Sequence, residues 1–574
     1  MRRALVFDRE RCLACRSCEL ACALAHSSSR RLDQAASEHP RPKSRVSIVH
    51  VKNGFEALRC EQCAEPLCVY SCKSGALHRI PADGRVVFDE DRCVGCLMCL
   101  MVCPFGIRHD HARDRVARCD VCSTLDTPAC VGACPTRAIR TEDSAVPSVL
   151  SSFSGRVVIV GSSAAGIAAA EAAREHAPKC SITVVTADTG PDYSRPLLAY
   201  VLAGRIDTAP LRWRPDRYLE DEIGATVLRG VSAVALDTVG AALVLSDGQR
   251  VAFDRLIVAA GARSAAVHIP GATLDGVSGL RDLDDLDRLN DMARPGARAV
   301  VVGGGNVGLQ ACEALAERGL QVTLVVKSPY LLSQMVDEPV GRRVGDLFAR
   351  HGVVVRTRCD VARFDGAGRV ESATLDSGEI VPADLVVVGK GIVPDLAWLE
   401  GSGVEIRRGV VVDSSGRTSL PGIFSAGDCA ECADPLSGRV GISGIWPVAY
   451  EMGRAAGSTA VGVERTTPGA LRMNASRFFG ESIISIGEVM PERLPGASAH
   501  VLVDRGDQYR KLVFRESTLV GALLYGDVSG AGVYYRLYRD RVALGDIVPE
   551  ELEHARNDLA VGVMRGETES GSGF

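Results

Sequence analysis

Nowhere does the chain offer the roughly 18 consecutive apolar residues that a membrane-spanning helix requires, so no helical span is expected. Arg2 and Arg3 open it without an apolar run behind them, which reads as no secretory leader, and a cytoplasmic protein is expected. A net charge of −5 over 574 residues leaves neither sign dominant. No basic stripe interleaved with aromatics occurs, which argues against nucleic acid as the main partner. What is present is 46 % hydrophobic and 24 % charged residues, enough for several cores in three or four domains. There are also 21 cysteines. Disulfide scaffolds belong to short secreted chains, whereas these cysteines are tightly clustered, so metal is the better explanation.

Sixteen of the 21 precede residue 135, in four groups of four. They are Cys12, Cys15, Cys18, Cys22; then Cys60, Cys63, Cys68, Cys72; then Cys93, Cys96, Cys99, Cys103; and last Cys119, Cys122, Cys130, Cys134. The third group repeats the spacing of the first, and every group ends in C-x3-C. Three closely spaced thiolates can wrap one loop around a cubane while the fourth starts a departing segment and reaches a neighbouring cluster. Zinc also takes four cysteines, but usually as two C-x2-C pairs separated by a longer insert. The spacing therefore predicts two ferredoxin-like modules holding four [4Fe-4S] clusters.

The run from Cys12 to Cys134, with ACALAHSSS, LCVYSCKSGAL, MVCPFGI and VARCDVC, resembles the four-cluster electron-carrier subunits of molybdenum, tungsten and nickel oxidoreductases, including carbon monoxide dehydrogenases and aldehyde oxidoreductases. The resemblance implies that the first and fourth groups share one cluster pair and the second and third the other. Cys22 and Cys134 would then be exchanged ligands, as would Cys72 and Cys103. It also implies a catalytic metalloenzyme as partner. The cluster domain is expected over residues 1–142.

A serine-rich stretch over 143–154 reads as a linker. Behind it, RVVIVGSSAAGIAAAEAAREH followed by SITVVTAD reads as strand, turn, helix, strand. Its turn, with Gly161, Ser163, Ala164, Ala165 and Gly166, is a G-x-S-x-x-G variant of the dinucleotide fingerprint, and Asp188 stands where a carboxylate meets a ribose hydroxyl. ARAVVVGGGNVGLQACEALAERGLQVTLVV repeats the unit with Gly303, Gly305, Asn306, Val307 and Gly308. Two such units suggest two nucleotides.

Together with GIFSAGDCAE, these motifs resemble the two-dinucleotide flavoprotein reductases, which include NADH oxidases, rubredoxin and ferredoxin reductases and nitrite reductase flavin domains. The resemblance implies that the first fingerprint and Asp188 hold FAD, that Gly427 and Asp428 meet its ribityl-phosphate region, and that the second fingerprint takes NAD(P)H. Ala260, Gly261 and Gly391 would mark the crossovers between domains, and Trp446 a helix start near the flavin. It implies an FAD domain over 155–268 and 385–465, an NAD(P) domain over 269–384, and a small C-terminal domain and tail over 466–574, often an interface and so compatible with a homo-oligomer. The expected fold is thus an α+β ferredoxin-like double module followed by an α/β two-dinucleotide, Rossmann-type, glutathione-reductase-like flavoprotein with a small α+β C-terminal domain.

Where relatives carry a redox cysteine, DYSRPLLAYVLAG has none, and Arg195 becomes the candidate group beside the flavin. Cys180, Cys312 and Cys359 read as core residues, Cys429 and Cys432 as a C-x-x-C without a second pair, and His109 to His111 as a solvated loop. In VTLVVKS, Val326 replaces an NAD-selective acid and Lys327 follows it, which leans toward NADPH, while Gln310 replaces a glutamate of relatives near the nicotinamide. The expected function is a subunit passing electrons between NAD(P)(H) and a partner metalloenzyme, such as a tungsten aldehyde oxidoreductase or CO dehydrogenase, through FAD and four clusters. The alternatives are a stand-alone NAD(P)H:ferredoxin or rubredoxin reductase, or a non-catalytic scaffold with a vestigial nicotinamide site.

Overall fold

The computed structural model describes residues 2–51, 54–80, 84–110, 112–122, 125–144, 149–436, 438–544 and 552. The chain forms two compact units: residues 1–147 with 473–476 and 482–574, and residues 148–472 with 477–481.

In the first unit, strands Arg2–Phe7 and Ile139–Ser144 pair antiparallel and close the cysteine-rich segment on itself. Between them lie three short hairpins: Ser47–Val51 with Gly54–Leu58, Leu77–Arg79 with Val86–Phe88, and Arg108–Asp110 with Arg115–Ala117. Each cysteine group leads into a short helix, Ser17–Ala25, Leu67–Tyr70, Met98–Val102 and Ala129–Gly132. The first of these packs against the last and the second against the third. The C-terminal part is a sheet of five strands, in the order Met473–Phe478, Glu481–Gly487, Thr518–Tyr525, Gln508–Arg515, Ala497–Arg505. Helix Ala531–Asp540 packs on Thr518–Tyr525 and against helix Met98–Val102. Gly532 permits the second contact: a Cβ there would stand 2.1 Å from the Cys103 carbonyl oxygen.

The second unit repeats one design. A five-stranded parallel sheet runs Thr226–Arg229, Ser181–Thr186, Arg156–Val160, Arg255–Val258, Ile423–Ser425, and another runs Val277–Ser278, Leu385–Val388, Arg298–Val302, Gln321–Val326, Val354–Thr357. Near-continuous apolar strands such as VVIV and AVVV suit sheets buried on both faces. Each sheet carries a three-stranded antiparallel insert. Two ribbons, Ala262–Ser264 and Ile392–Pro394, pair where the chain crosses between the sheets. Helices Ala164–His176 and Trp446–Ala460 approach closely because Gly453 and Gly457, one turn apart, face the Ala165 and Ala169 carbonyls, which a Cβ would meet at 2.2 and 2.3 Å.

Three expected boundaries move. The linker does not begin at 143, because the strand Ile139–Ser144 runs into it, and residues 149–154 are tied to the second unit through Ser151, whose hydroxyl donates to the Val461 carbonyl and accepts from the Phe153 N–H, and whose own N–H donates to the His176 carbonyl. Residues 145–148 of that linker lie outside the described residues. The NAD(P) domain does not end at 384, since Leu385–Val388 is a strand inside its sheet, hydrogen-bonded between Val277–Ser278 and Arg298–Val302. The C-terminal sheet starts at Met473. His109 is on a strand, its side chain only 5 % exposed, not in a solvated loop, because the hairpin Arg108–Asp110/Arg115–Ala117 folds it inward. His111 lies outside the described residues, as does most of the expected tail.

Candidate functional site

The four cysteine loops share one backbone device. The residue just before the second cysteine is left-handed in every group: Ala14 (φ 53°), Gln62 (48°), Gly95 (64°) and Val121 (58°). That turn aims its own N–H back at the first sulfur, with Ala14, Gln62 and Val121 each 3.4 Å from Cys12, Cys60 and Cys119 Sγ, and Gly95 likewise donates to Cys93. Left-handed backbone costs an L-residue about 1 to 2 kcal/mol. Alanine, glutamine and valine adopt it here in the same place.

The loops bring the sixteen cysteines into four quartets. Cys134 lines one small cavity with Cys12, Cys15 and Cys18. Cys22 acts electrostatically on Cys119, Cys122 and Cys130. Cys103 does so on Cys63 and Cys68, and feels Cys60. Cys72 does so on Cys93 and Cys99, and feels Cys96. The fourth cysteine of each group therefore stands near three from another group. Neighbouring quartets lie near enough to act on one another electrostatically, through Cys18 and Cys130, Cys60 and Cys119, and Cys68 and Cys99, which orders them as a line of four. Cys15, in the first quartet, is the exposed one.

Burial pushes the Cys18 thiol up to about 11, and it pushes Cys63 and Cys130 to about 12, helped by the neighbouring sulfurs Cys103 and Cys22. None of the sixteen is in a disulfide. Four crowded thiolates repel one another unless a cationic centre lies among them, and N–H donors already aimed at the sulfurs are the second shell that iron–sulfur ligands take. The donor set fits [4Fe-4S] centres. Beside Cys22, burial opposes charge on His26, but hydrogen bonds with Asp120 (3.1 Å) and Cys22 outweigh it and raise the imidazole to about 9.

The second unit holds a cavity of about 580 Å³ at the C-terminal ends of the strands of its first parallel sheet, a volume within the ~300–1,000 Å³ of ligand sites. Gly161, Ser163, Ala164 and Ala165 line it, with Asp188, Arg195, Ala260, Gly261, Gly427 and Asp428. Gly166 stands one turn behind, where a Cβ would meet the Gly161 carbonyl at 1.8 Å, so the helix can close on the loop only with glycine there. No side chain caps helix Ala164–His176. Its first N–H groups therefore face the cavity as a ready anion site, which fits a pyrophosphate. Trp446 lines the same cavity and meets Trp213 edge-on, with ring centroids 5.0 Å apart. Among the residues lining the cavity there is no cysteine.

Arg195 reaches the cavity, but its guanidinium is held by Asp188 at 2.8 Å and by the Tyr193 hydroxyl. Arg281 was not anticipated. It pairs with Asp428 at 3.0 Å and donates to the Ala262 carbonyl at 2.9 Å, and nothing in GLRDLDD distinguishes it from a surface arginine.

The second fingerprint opens helix Asn306–Glu317, again without a side-chain cap. Gly303 (φ 120°) lies where a Cβ would meet the Gly389 carbonyl at 2.3 Å, and a Cβ on Gly308 would meet the Gly303 carbonyl at 2.1 Å, whereas Gly305 faces open space. Asn306 and Val307 begin the helix, and Val307 is exposed. Val326 ends its strand buried, with exposed Lys327 next to it. Arg358 also stands exposed at this edge, its N–H on the Ser328 carbonyl. Gly391 (φ 98°) turns the chain into the crossover ribbon. Gln310 lines a small cavity with Tyr200, Arg205, Glu313 and Arg477. Cys180, Cys312, Cys429 and Cys432 are buried and Cys359 half-buried.

Two dinucleotide folds joined by a crossover ribbon, with a cysteine-quartet module, define a flavoprotein oxidoreductase with an iron–sulfur domain. The chain belongs to the pyridine nucleotide-disulphide oxidoreductase family, whose profile matches residues 155–453. A 4Fe-4S dicluster domain matches residues 51–144, and a rubredoxin NAD+ reductase C-terminal domain matches 473–540. The chain is 30 % identical over 412 residues to the NADH-dependent phenylglyoxylate dehydrogenase subunit epsilon of Aromatoleum evansii, covering 71 % of this chain and 96 % of that one. It is 30 % identical over 380 residues to the nitrite reductase [NAD(P)H] of Bacillus subtilis, spanning 65 % of this chain and only 46 % of that protein. Among solved structures, an NAD-dependent persulfide reductase from A. fulgidus superposes with a TM-score of 0.65 at 26 % identity, covering 73 % of this chain and 85 % of that one. The putidaredoxin reductase–putidaredoxin complex shares the fold with a TM-score of 0.65 at 23 % identity, covering 72 % and 99 %. Among the described residues no helix is long and apolar enough to cross a membrane.

Proposed function

We propose that the protein is the nicotinamide-linked electron-transfer subunit of a larger oxidoreductase, exchanging electrons between NAD(P)(H) and a catalytic metalloenzyme through FAD and four [4Fe-4S] clusters. The observation that carries this reading is the line of four cysteine quartets in a chain whose flavin cavity has no cysteine lining it. Electrons leaving the cavity have no thiol acceptor there, and the quartets supply another destination. FAD, when bound, supplies the exchange between the two electrons of a hydride and the single electrons an iron–sulfur centre takes. The first fingerprint and the uncapped helix Ala164–His176 would hold its pyrophosphate, Asp188 its ribose, and Asp428, oriented by Arg281, its ribityl-phosphate region. Gly303, Gly305 and Gly308 would seat the nicotinamide dinucleotide, and Lys327 would face a 2′-phosphate. Arg195, 2.8 Å from Asp188, would hold that carboxylate in place at the cavity.

A partner is part of the reading because electrons that reach the quartets need a donor or acceptor beyond them. The relative from Aromatoleum evansii is named as a subunit of an NADH-dependent dehydrogenase, which supports it. The partner proposed is a tungsten, molybdenum or nickel oxidoreductase, such as an aldehyde oxidoreductase or CO dehydrogenase. A stand-alone ferredoxin or rubredoxin reductase is the second reading, favoured by the C-terminal domain match at 473–540. Anaerobic stopped-flow mixing with NADH and NADPH in turn tests the first step: the flavin absorbance should bleach, and cluster EPR signals should follow. Neither nucleotide bleaching the flavin would sink both readings. Co-purification with a large metalloenzyme separates the first reading from the second.

A further inference from the structure

The two inner quartets share one guanidinium. Arg118 immediately precedes Cys119 and is 1 % exposed. Its Nη2 donates to Cys60 Sγ at 2.8 Å, and its charge faces Cys68 as well as Cys119. Cys60 and Cys68 belong to one inner quartet and Cys119 to the next, so the cation sits at the junction of the two halves of the line. Among the described residues no carboxylate pairs with Arg118, and its Nη1 is buried without a hydrogen-bond partner. The neighbouring arginines are different: Arg45, whose N–H donates to Cys22 Sγ, is paired with Asp120, and Arg59 with Glu61.

A buried, permanently charged guanidinium with no carboxylate is costly unless something else nearby is negative. Neutral thiols cannot serve. Clusters ligated by four thiolates can, and they become more negative with each electron they accept. We infer that Arg118 is a positioning residue for electron transfer, its fixed charge at the junction stabilising the reduced state of both inner clusters so that an electron passes between the two cluster pairs. The inference rests on the proposed reading of the quartets as four [4Fe-4S] clusters. The geometry uses what arginine has and lysine lacks, a planar fork with donors on more than one side. The charge acts across low-dielectric surroundings and falls off with distance, so the two inner clusters, whose ligands Cys60, Cys68 and Cys119 it faces, feel it more than the outer two.

The test uses the anaerobically purified full chain, with iron and labile sulfide counted first. Wild type carrying fewer than four clusters would sink the quartet reading, and this inference with it. With four present, dye-mediated redox titrations followed by EPR compare wild type with Arg118→Gln and Arg118→Lys. Arg118→Gln should make two of the four clusters at least tenfold harder to reduce, which is about 59 mV for one electron, and shift the other two by clearly less. Arg118→Lys, which keeps the charge, should recover most of that shift. Unchanged potentials at full iron content, or an equal shift in all four clusters, would overturn the inference. Should Arg118→Gln fail to hold iron, wild type labelled with guanidino-15N arginine decides instead. Pulsed EPR should detect an arginine side-chain nitrogen coupled to a reduced cluster, and absence of that coupling would overturn the assignment.

Discussion

Valine is among the residues least suited to a positive φ, yet Val121 adopts 58° between Cys119 and Cys122. The local strain is tolerated because the same turn points the Val121 N–H at Cys119 Sγ. Proline there would remove both the donor and the conformation, since its ring fixes φ near −65°. Val121→Pro should therefore cost the chain about one cluster's share of iron, read by iron analysis, while Val121→Gly keeps full iron. At the other nucleotide, Lys327 is exposed beside buried Val326, where an acid would repel a 2′-phosphate. Lys327→Glu is expected to lower the NADPH-to-NADH ratio of kcat/KM for flavin reduction by about tenfold or more, the equivalent of about 1.4 kcal/mol. An unchanged ratio would mean that the 2′-phosphate meets other groups. The grouping of the cysteines was legible at this scale because ligand chemistry writes itself as spacing. Arg118 and Arg281 were not, because a buried cation and a surface one look alike until the fold brings their partners together.

Helix Ala531–Asp540 comes from the far end of the chain and lies against helix Met98–Val102, with Gly532 touching the Cys103–Pro104 backbone. A side chain at Gly532 must push that backbone away. Overpacking of this kind costs about 1 to 3 kcal/mol, more than the ~1 kcal/mol alanine gains over glycine within a helix. Gly532→Val should lower iron content and leave flavin binding intact, and equal losses of both would argue against a local effect. The sheets carry a paired device of their own. Asp254 accepts from the Arg156 backbone N–H and guanidinium, and Asp384 does the same for Arg298, each clamping the start of the central strand of its sheet. Hydrogen bonds from Arg156 and Arg298 lower both carboxyls to about 2. Such groups stabilise the fold above their unfolded pKa, near 4, and lose that contribution as pH falls through about 2. Both are about 40 % exposed, so each is worth under about 1 kcal/mol. Asp254→Asn and Asp384→Asn should flatten the fall of the thermal midpoint between pH 4 and 2, additively if the clamps are independent. The repeated dinucleotide units were legible from their glycines. The strand Leu385–Val388 was not assigned to its sheet, because its apolar run ends in the same Gly-rich turn that marks a crossover.

At the scale of the whole chain, the linear order of domains is not the order of packing. The C-terminal segment, after the flavin domain, belongs to the same compact unit as the cysteine module. Sequence patterning could not reveal that, because the decisive contact joins Gly532 to Cys103 across most of the chain and carries no local signal. It has a thermodynamic consequence. Metal binding that exists only in the folded state is folding free energy, so stripping iron should destabilise everything that folds with the quartets. The strands from Glu481 to Tyr525 and helix Ala531–Asp540 should therefore weaken along with the cysteine loops, while the two parallel sheets of the other unit keep their stability. Calorimetry of the full chain before and after anaerobic chelation should show two transitions, of which one moves down by several degrees and one stays. Hydrogen exchange should assign the C-terminal strands to the one that moves. If those strands instead keep their protection when the iron is gone, the C-terminal sheet draws its stability from itself, and the Gly532 contact is a seat for the cluster module, not a bond between their folding.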